Sequence, residues 1–327
     1  FGVLSLLKRS ILRKSKKPGV RKMKKILATI LALVLALGLT ATVWAADVSG
    51  STSTKAAKIG GAEYDTLQAA IDAASGSETT VVVLLNDLTE SITIDSGKNV
   101  TIDLNGHKLT NTDGQHTITN NGTLTITATN GGTVDNVSHA RAALFNNEGA
   151  TAVLNGGSFT RSQENGKTKE DSGNNSFYTI QNLGTMTIYA GVSVTQNGCF
   201  SSMVANGYYN GTGKTNTPTM IINGGTFSGG LNAIKNDEAG VLTINGGDFS
   251  NTSQFVVMNW HKTTINGGSF KALSSAEAVL FTAKYAENKA VGELTIKNGT
   301  FERAADTQKM LEVTYKGENG KRSEERR

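Results

Sequence analysis

The stretch Val241-Leu242-Thr243-Ile244-Asn245-Gly246-Gly247-Asp248-Phe249 decides the fold of this 327-residue chain. Because strand residues alternate between two faces, Leu242 and Ile244 point to one side and Thr243 to the other. Asn and Gly accept the positive φ angles of a sharp corner. The same strand and turn return at 153–159, 222–227 and 265–270. Each copy therefore predicts one corner of a repeated coil.

The repeat extends beyond these four copies. Aligned on the last apolar residue of the strand before the corner, it has anchors at Ile102, Ile126, Leu154, Ile188, Ile222, Ile244, Ile265 and Ile296. The shortest separations, 21 and 22 residues, indicate the bare coil. We interpret the longer separations as coils that carry inserted loops. A single coil cannot bury its apolar side, so stacked neighbours must complete the core.

Two columns of asparagine accompany the repeat. The Asn-Gly-Gly corners contain Asn155, Asn223, Asn245 and Asn266. An earlier turn in each coil contains Asn120, Asn146, Asn182, Asn206, Asn236 and Asn259. Coils about 4.8 Å apart would place each amide above the last, so that the side chains hydrogen-bond along the stack. We predict a structural role for both columns, and an internal column of the Phe residues that follow the corners.

These patterns predict an all-β parallel solenoid of eight to ten coils over 62–315. A β-sandwich, with a strand every 8–12 residues, is the alternative, but it does not require the same tripeptide at the same corner. We predict an amphipathic helix over 62–75 that caps the first coil. Asp65 and Gln68 suggest a capping box at its start. Residues 46–61 read as a linker, and 316–327 as a charged, disordered tail.

The first 45 residues account for the positive net charge of the chain. They contain ten Lys/Arg and no Asp/Glu, whereas the remaining 282 residues carry a net charge of −5. The pI of 9.1 is therefore no argument for a nucleic-acid partner. Residues 23–45 have the layout of a secretory signal peptide, with an uncleaved anchor as the alternative. We interpret 1–22 as upstream or fragment sequence, and predict a secreted or cell-surface protein without membrane contact beyond the signal segment.

The segment after the predicted cap resembles a known superfamily. The order of Val81-Val82-Val83-Leu84-Leu85-Asn86-Asp87, Ile92-Thr93-Ile94 and then 100–107 resembles secreted and cell-surface bacterial proteins of the pectate-lyase-like superfamily. The resemblance covers about 59–315. It implies a right-handed parallel β-helix with three short sheets. Many such proteins use this region as a non-catalytic stalk or surface module.

Enzymes of that superfamily cleave acidic polysaccharides, so a polysaccharide lyase or glycoside hydrolase is the competing function. The chain has Asn111-Thr112-Asp113 but lacks the Asp-Asp, Gly-His-Gly and Arg-Ile-Lys motifs of the hydrolases. Lyases of the superfamily combine an acidic calcium cluster with an Arg base, and no acidic cluster accompanies the arginines Arg141, Arg161 and Arg303. Asp103 and His107 lie four residues apart, on a strand and a turn, and we expect them to be structural. We predict no cofactor, no metal site and no catalytic residues, and expect Cys199 to be a small buried residue.

Function in solenoids is often carried by inserted loops. The longest insertions are 161–176, which is charged, and 207–218, which contains Tyr208 and Tyr209. These tyrosines and Trp260 could stack on a sugar face or contact a protein. The alternatives are a tolerated surface insertion at 207–218 and an incidental exposed Trp260. We therefore expect a non-catalytic structural or adhesive module that binds a glycan or a surface protein, with Tyr208, Tyr209 and Trp260 as candidate ligand-binding residues.

Overall fold

The computed structural model shows a parallel β-helix, which confirms the predicted fold class. It describes residues 54–316 and 322–323, apart from 77, 164–176, 199–200, 210, 212, 252, 274–275 and 285–290. The predicted signal peptide, most of the first predicted loop and Cys199 lie outside the described residues. In the described part, nine coils stack through parallel pairing, and each coil contributes strands to three faces, called faces 1, 2 and 3 below.

The strands of each face follow the coils in order. Face 1 consists of β3 (Thr80–Leu84), β6 (Asn99–Asp103), β9 (Thr123–Thr127), the first part of β12 (Thr151–Thr160), the first part of β14 (Thr185–Gln196), β16 (Thr219–Ile222), β19 (Val241–Ile244), β22 (Lys262–Ile265) and β25 (Glu293–Ile296). Face 2 consists of β4 (Leu88–Thr89), β7 (Lys108–Thr110), β10 (Thr133–Asp135), the later parts of β12 and β14, β17 (Thr226–Gly229), β20 (Asp248–Asn251), β23 (Ser269–Ala272) and β26 (Thr300–Arg303). Face 3 consists of β5 (Ile92–Ile94), β8 (Ile118–Asn120), β11 (Leu144–Asn146), β13 (Ile180–Asn182), β15 (Val204–Asn206), β18 (Asn232–Asn236), β21 (Phe255–Asn259), β24 (Ala278–Lys284) and β27 (Lys309–Lys316).

The eight predicted anchors occupy equivalent positions in successive coils of face 1, as the repeat requires. Seven of them are fully buried, and Ile296 in the last coil is 44 % exposed. The predicted Phe column is also present on face 2. The ring centroids of Phe227, Phe249 and Phe270 follow one another at 4.8 Å, and Phe301 continues the stack at 5.0 Å. The core therefore repeats apolar side chains of the same kind at the strand spacing, with Val134 and Val194 at the Phe position of two coils.

The earlier asparagine column forms a continuous buried ladder at the end of face 3. Each side-chain amide donates to the Oδ1 of the next coil over distances of 2.7–3.0 Å, through Asn120, Asn146, Asn182, Asn206, Asn236 and Asn259. The same amides also donate to backbone carbonyls, for example from Asn182 to Thr219. The ladder thereby satisfies polar groups at corners that are closed to water.

The corner asparagines form a second, exposed ladder. Asn245 donates to Asn223 and Asn266 donates to Asn245, both over 2.8 Å. The last glycine of the corner is required here, because Gly247 has a φ of +119° and a Cβ at this position would lie 3.0 Å from the carbonyl oxygen of Gly225. Asn155 departs from the prediction, because it lies within the long strand β12, which continues through its corner.

The N-terminal cap differs from the prediction. Helix α1 spans only Leu67–Ala73, and residues 62–64 form strand β2 (Ala62–Tyr64), which pairs antiparallel with β1 (Ala57–Ile59) inside the predicted linker. β1 also pairs antiparallel with β3, so the hairpin covers the open edge of the first coil. The predicted capping box is wrong. Thr66 is the N-cap and accepts from the Ala69 amide, while the Gln68 side chain bonds the Thr93 backbone.

The other end of the stack also differs from the prediction. β28 (Arg322–Ser323) pairs antiparallel with β27, so this part of the predicted disordered tail is in a strand. Within the described residues, no helix is long and apolar enough to cross a bilayer.

Candidate functional site

The three outer surfaces differ in chemistry. The register aligns outward-pointing threonines on face 1, such as Thr123, Thr151, Thr185 and Thr219. Face 2 presents mainly serine and threonine with a few ion pairs, for example between Lys271 and Glu302 at 3.2 Å. Face 3 instead carries aromatic rings and a buried ion pair on its outer side. Side chains of both kinds are typical of ligand-binding surfaces, so face 3 is the candidate site.

An aromatic row runs along face 3 across coils 2 to 4. The His116 ring stacks on Phe145 at a centroid distance of 4.6 Å. Phe145 lies 6.3 Å from Phe177, and Phe177 lies 5.2 Å from Tyr178. Burial, together with the nearby charge of Arg141, lowers the pKa of His116 to about 4. The imidazole is therefore neutral near pH 7 and extends the aromatic surface without adding a charge.

Two small residues of coil 5 lie between larger polar side chains of face 3, next to this row. Gln181 in coil 4, Ala205 in coil 5 and Lys235 in coil 6 are direct neighbours in the register. Gly207 of coil 5 follows two positions after Ala205. Its amide donates to the Asn182 carbonyl of coil 4, and the Asp237 amide of coil 6 donates to the Asn206 carbonyl of coil 5. Gly207 therefore lies between coil 4 and Asp237. Coil 5 therefore offers only a methyl group and a hydrogen atom. We call these residues the coil-5 trough, with Ala205 and Gly207 as floor and Gln181, Lys235 and Asp237 as walls. Ala205 has no exposed surface, so the trough is closed to solvent.

An ion pair and two tyrosines line the trough. The ammonium group of Lys235 lies 2.8 Å from Asp237 Oδ2, and its Nζ is 5.9 Å from the ring centroid of Tyr178 and 5.1 Å from that of Tyr209. Burial by itself would lower the pKa of Lys235, but the attraction of Asp237 outweighs it and raises that pKa. Burial raises the pKa of Asp237, and the ammonium group opposes this shift. Lys235 therefore stays charged, held by a carboxylate and two ring faces.

The 207–218 loop is anchored beside the trough. Tyr208 forms an isolated antiparallel β-bridge with Glu238. The Gly211 amide donates to the Glu238 carboxylate over 2.7 Å. The Lys214 ammonium pairs with Glu148 at 2.6 Å and lies 4.8 Å from the Tyr208 ring centroid. These contacts leave Tyr209 as the exposed ring of the loop.

The structure separates the three predicted ligand-binding residues. Tyr209 is 63 % exposed, beside the trough, whereas Tyr208 is only 5 % exposed. A ring buried to that degree cannot stack on a sugar, so Tyr208 is better described as an anchor of the loop. Trp260 lies elsewhere on face 3, partly buried, with its ring 5.5 Å from Phe281 in a cluster that also contains Phe255 and Met258. The three side chains do not form one site.

Four residues of this region were not predicted from the sequence: Tyr178, Gln181, Lys235 and Asp237. The visible repeat in their strands is the inward-pointing Asn column, whereas these side chains lie on or beside the outer side of the same strands. A signal was available, because the residue before each ladder asparagine must point outward. Reading that position through the coils gives Thr119, Phe145, Gln181, Ala205, Lys235 and Met258.

The acidic residues considered for catalysis have structural partners. Asp103 accepts hydrogen bonds from the backbone and hydroxyl of Thr129, while His107 lies 3.4 Å from Asp87. Asp113 accepts from Ser138. Among the described residues, no group of three or more His, Cys, Asp or Glu is arranged to hold a metal ion.

A shallow surface pocket of about 380 Å³ lies where face 1 meets face 2. Glycines, threonines and Asn155 line it, without an ionisable side chain. Comparison with protein-family models, with characterised proteins and with solved structures finds no match to this chain. Face 3 therefore provides the observations on which a function can be proposed.

Proposed function

We propose that the protein is a non-catalytic, secreted or cell-surface module that uses its β-helix as a rigid support for binding a glycan. The observation that carries this proposal is the exposed Tyr209 ring beside the coil-5 trough, at the end of the aromatic row of His116, Phe145, Phe177 and Tyr178. Rings on a flat, rigid sheet can stack on successive sugars and lose little conformational entropy on binding. We also propose membership of the pectate-lyase-like superfamily, on the basis of the parallel coils and the segment at 81–107.

A polysaccharide lyase or hydrolase acting on acidic polysaccharide is the competing function. Glycoside hydrolysis requires two carboxyl groups on either side of the scissile bond. The coil-5 trough instead places one carboxylate, Asp237, against an ammonium group, Lys235. A surface protein is the alternative partner, because exposed tyrosines are also enriched in protein interfaces.

The testing experiment measures binding and turnover on the same samples. The purified protein is applied to an array of plant, mucin and bacterial cell-wall glycans, and reducing ends and unsaturated products are assayed with and without Ca²⁺. We expect binding without product release. Tyr209→Ala should weaken binding, while Tyr189→Ala, which removes a 43 % exposed tyrosine at a corner of face 1, should not. Turnover on any glycan would refute the non-catalytic proposal, and equal losses in the two variants would refute the site.

A further inference from the structure

Four corners between face 1 and face 2, in coils 6 to 9, contain an asparagine followed directly by a glycine. They are Asn223-Gly224, Asn245-Gly246, Asn266-Gly267 and Asn298-Gly299. In such a pair the backbone nitrogen of the glycine can attack the side-chain carbonyl carbon of the asparagine, because glycine has no Cβ to obstruct the approach. The new C–N bond expels the side-chain nitrogen as ammonia, which takes the glycine N–H proton, and leaves a succinimide ring. Water then opens the ring to aspartate or isoaspartate, so the sequence allows deamidation at all four corners.

The exposed asparagine ladder restrains three of these four side chains. The Asn245 amide donates to Asn223 Oδ1 and the Asn266 amide donates to Asn245 Oδ1, both over 2.8 Å. Asn245 is therefore held from both sides, by its amide in coil 6 and by its carbonyl oxygen in coil 8. Attack by the glycine nitrogen requires that these bonds break and that the side chain rotates. The strands beside this corner, β19 and β20, also pair with neighbours on both sides, which fixes the backbone.

Asn298 in coil 9 lies outside the ladder. The register of coils 8 and 9 places Lys297 at the ladder position, opposite Asn266, and Asn298 opposite Gly267. Asn298 Oδ1 accepts a hydrogen bond from the Gly299 amide over 2.9 Å, so the attacking nitrogen already lies beside the side-chain carbonyl group. Contact between two reacting groups before the reaction lowers the entropy cost of bringing them together. The side chain is exposed, so water also has access to the succinimide.

The backbone at this corner is held on one side only. Among the described residues, β25 pairs with β22 and β26 pairs with β23, and neither has a strand on its other edge. Closing the succinimide ring rotates the backbone at Asn298, and one set of interstrand bonds opposes this rotation less than two sets do. Ile296, which is 44 % exposed, marks the same open end of the stack.

We infer that Asn298 is a site of spontaneous deamidation, and that the exposed ladder protects the corners at Asn245 and Asn266 from the same reaction. The product is a carboxylate on the last coil in place of a neutral amide. The exposed ladder contributes little to stability, because water can replace its bonds, and this protection gives it a chemical role. The inference is independent of the proposed glycan binding.

Peptide mapping by mass spectrometry tests the inference on the purified protein. The protein is kept at mildly alkaline pH and body temperature for several weeks and is digested at acidic pH, where the reaction is slow. The deamidated fraction of each corner peptide is then followed over time. We expect Asn298 to convert at least about tenfold faster than Asn245 or Asn266. Equal rates at the three corners, or an unchanged Asn298, would overturn the inference.

A double variant tests the protective role of the ladder. Asn223→Ala combined with Asn266→Ala leaves Asn245 without a ladder partner on either side, so its conversion should become about tenfold faster. Single Asn266→Ala, which frees only the Asn245 carbonyl oxygen, should give an intermediate rate.

Asn130→Ala is the matched control. It removes an exposed bond of 2.7 Å to Asn105 at the corners of coils 2 and 3, and should leave the Asn245 rate unchanged. The melting temperatures of all these variants should stay close to that of the wild type, because the lost bonds are exposed. An unchanged Asn245 rate in the double variant, or an equal acceleration in the control, would overturn the protective role.

Discussion

Replacing Asn182 by Ala in the middle of the buried ladder tests the main stabilising device of the fold. The Asn182 amide donates to Asn206 Oδ1 over 2.7 Å, to the Thr219 carbonyl over 3.0 Å and to the Gly184 carbonyl over 3.1 Å. Its Oδ1 accepts from the Asn146 amide over 2.7 Å and from the Gly184 backbone amide over 3.2 Å. The side chain is completely buried.

The expected cost follows from the groups left behind. After the substitution, the Asn146 amide keeps its bonds to the carbonyls of Ala150 and Thr185. Asn206 Oδ1 loses the donor that Asn182 supplied, and the Gly184 N–H loses its acceptor. Each unsatisfied buried group costs about 1–3 kcal/mol, so we expect the free energy of unfolding to fall by about 2–6 kcal/mol.

The second ladder supplies a control of the same chemistry. Asn245 has equivalent bonds of 2.8 Å to both neighbouring asparagines, but it is exposed. Water replaces those bonds in Asn245→Ala, so this variant should lose less than about 0.5 kcal/mol. Urea unfolding followed by circular dichroism measures both variants, with equal m-values as a check on two-state behaviour. A difference below about 1 kcal/mol between the two variants would refute the assignment of the inner ladder as the stabilising one.

Three further substitutions have defined outcomes. Phe249→Ala removes a ring stacked at 4.8 Å on both sides and should cost about 3–5 kcal/mol in urea unfolding; a loss below about 1 kcal/mol would contradict the stacked core. Gly247→Ala should lower the melting temperature more than Gly149→Ala. Both glycines have positive φ, but only at Gly247 would a Cβ lie against the Gly225 carbonyl. Equal decreases of the melting temperature in the two variants would refute this. Folding lowers the pKa of His116 from 6.5 to about 4. As the pH falls, the unfolded state therefore protonates the imidazole first, and the free energy of unfolding decreases between pH 6.5 and pH 4. His116→Phe should lack this loss between pH 6.5 and 4, and an identical pH profile of unfolding for the two proteins would contradict it.

The repeat could be predicted because its corners constrain the residues locally. A turn with φ near +119° accepts glycine and little else, so Gly247 and its equivalents recur visibly in the sequence. Inward positions must fill the same space in each coil, which repeats Ile, Leu and Phe. The register of all eight anchors could therefore be predicted from the sequence alone, even though the loops vary in length.

The cap and the site could not be read in this way. Residues 62–64 have an alternation that also fits a helix start, and only their pairing with β1 places them in a strand. Tyr208 and Tyr209 are adjacent and identical, yet one is 5 % and the other 63 % exposed. Their difference arises because Tyr208 is bridged to Glu238, which is 30 residues away in the sequence.

The sequence by itself determined the coil, its corners, its two asparagine columns and the apolar interior, because these features depend on residues that are neighbours in the chain or repeat at a fixed place in each coil. Only the tertiary structure decided which outward side chains meet. The trough exists because small residues of coil 5, Ala205 and Gly207, lie between Gln181 and Lys235 of the adjacent coils. Outward positions fill no common interior space, so packing does not force them to repeat, and their encounters follow from stacking alone.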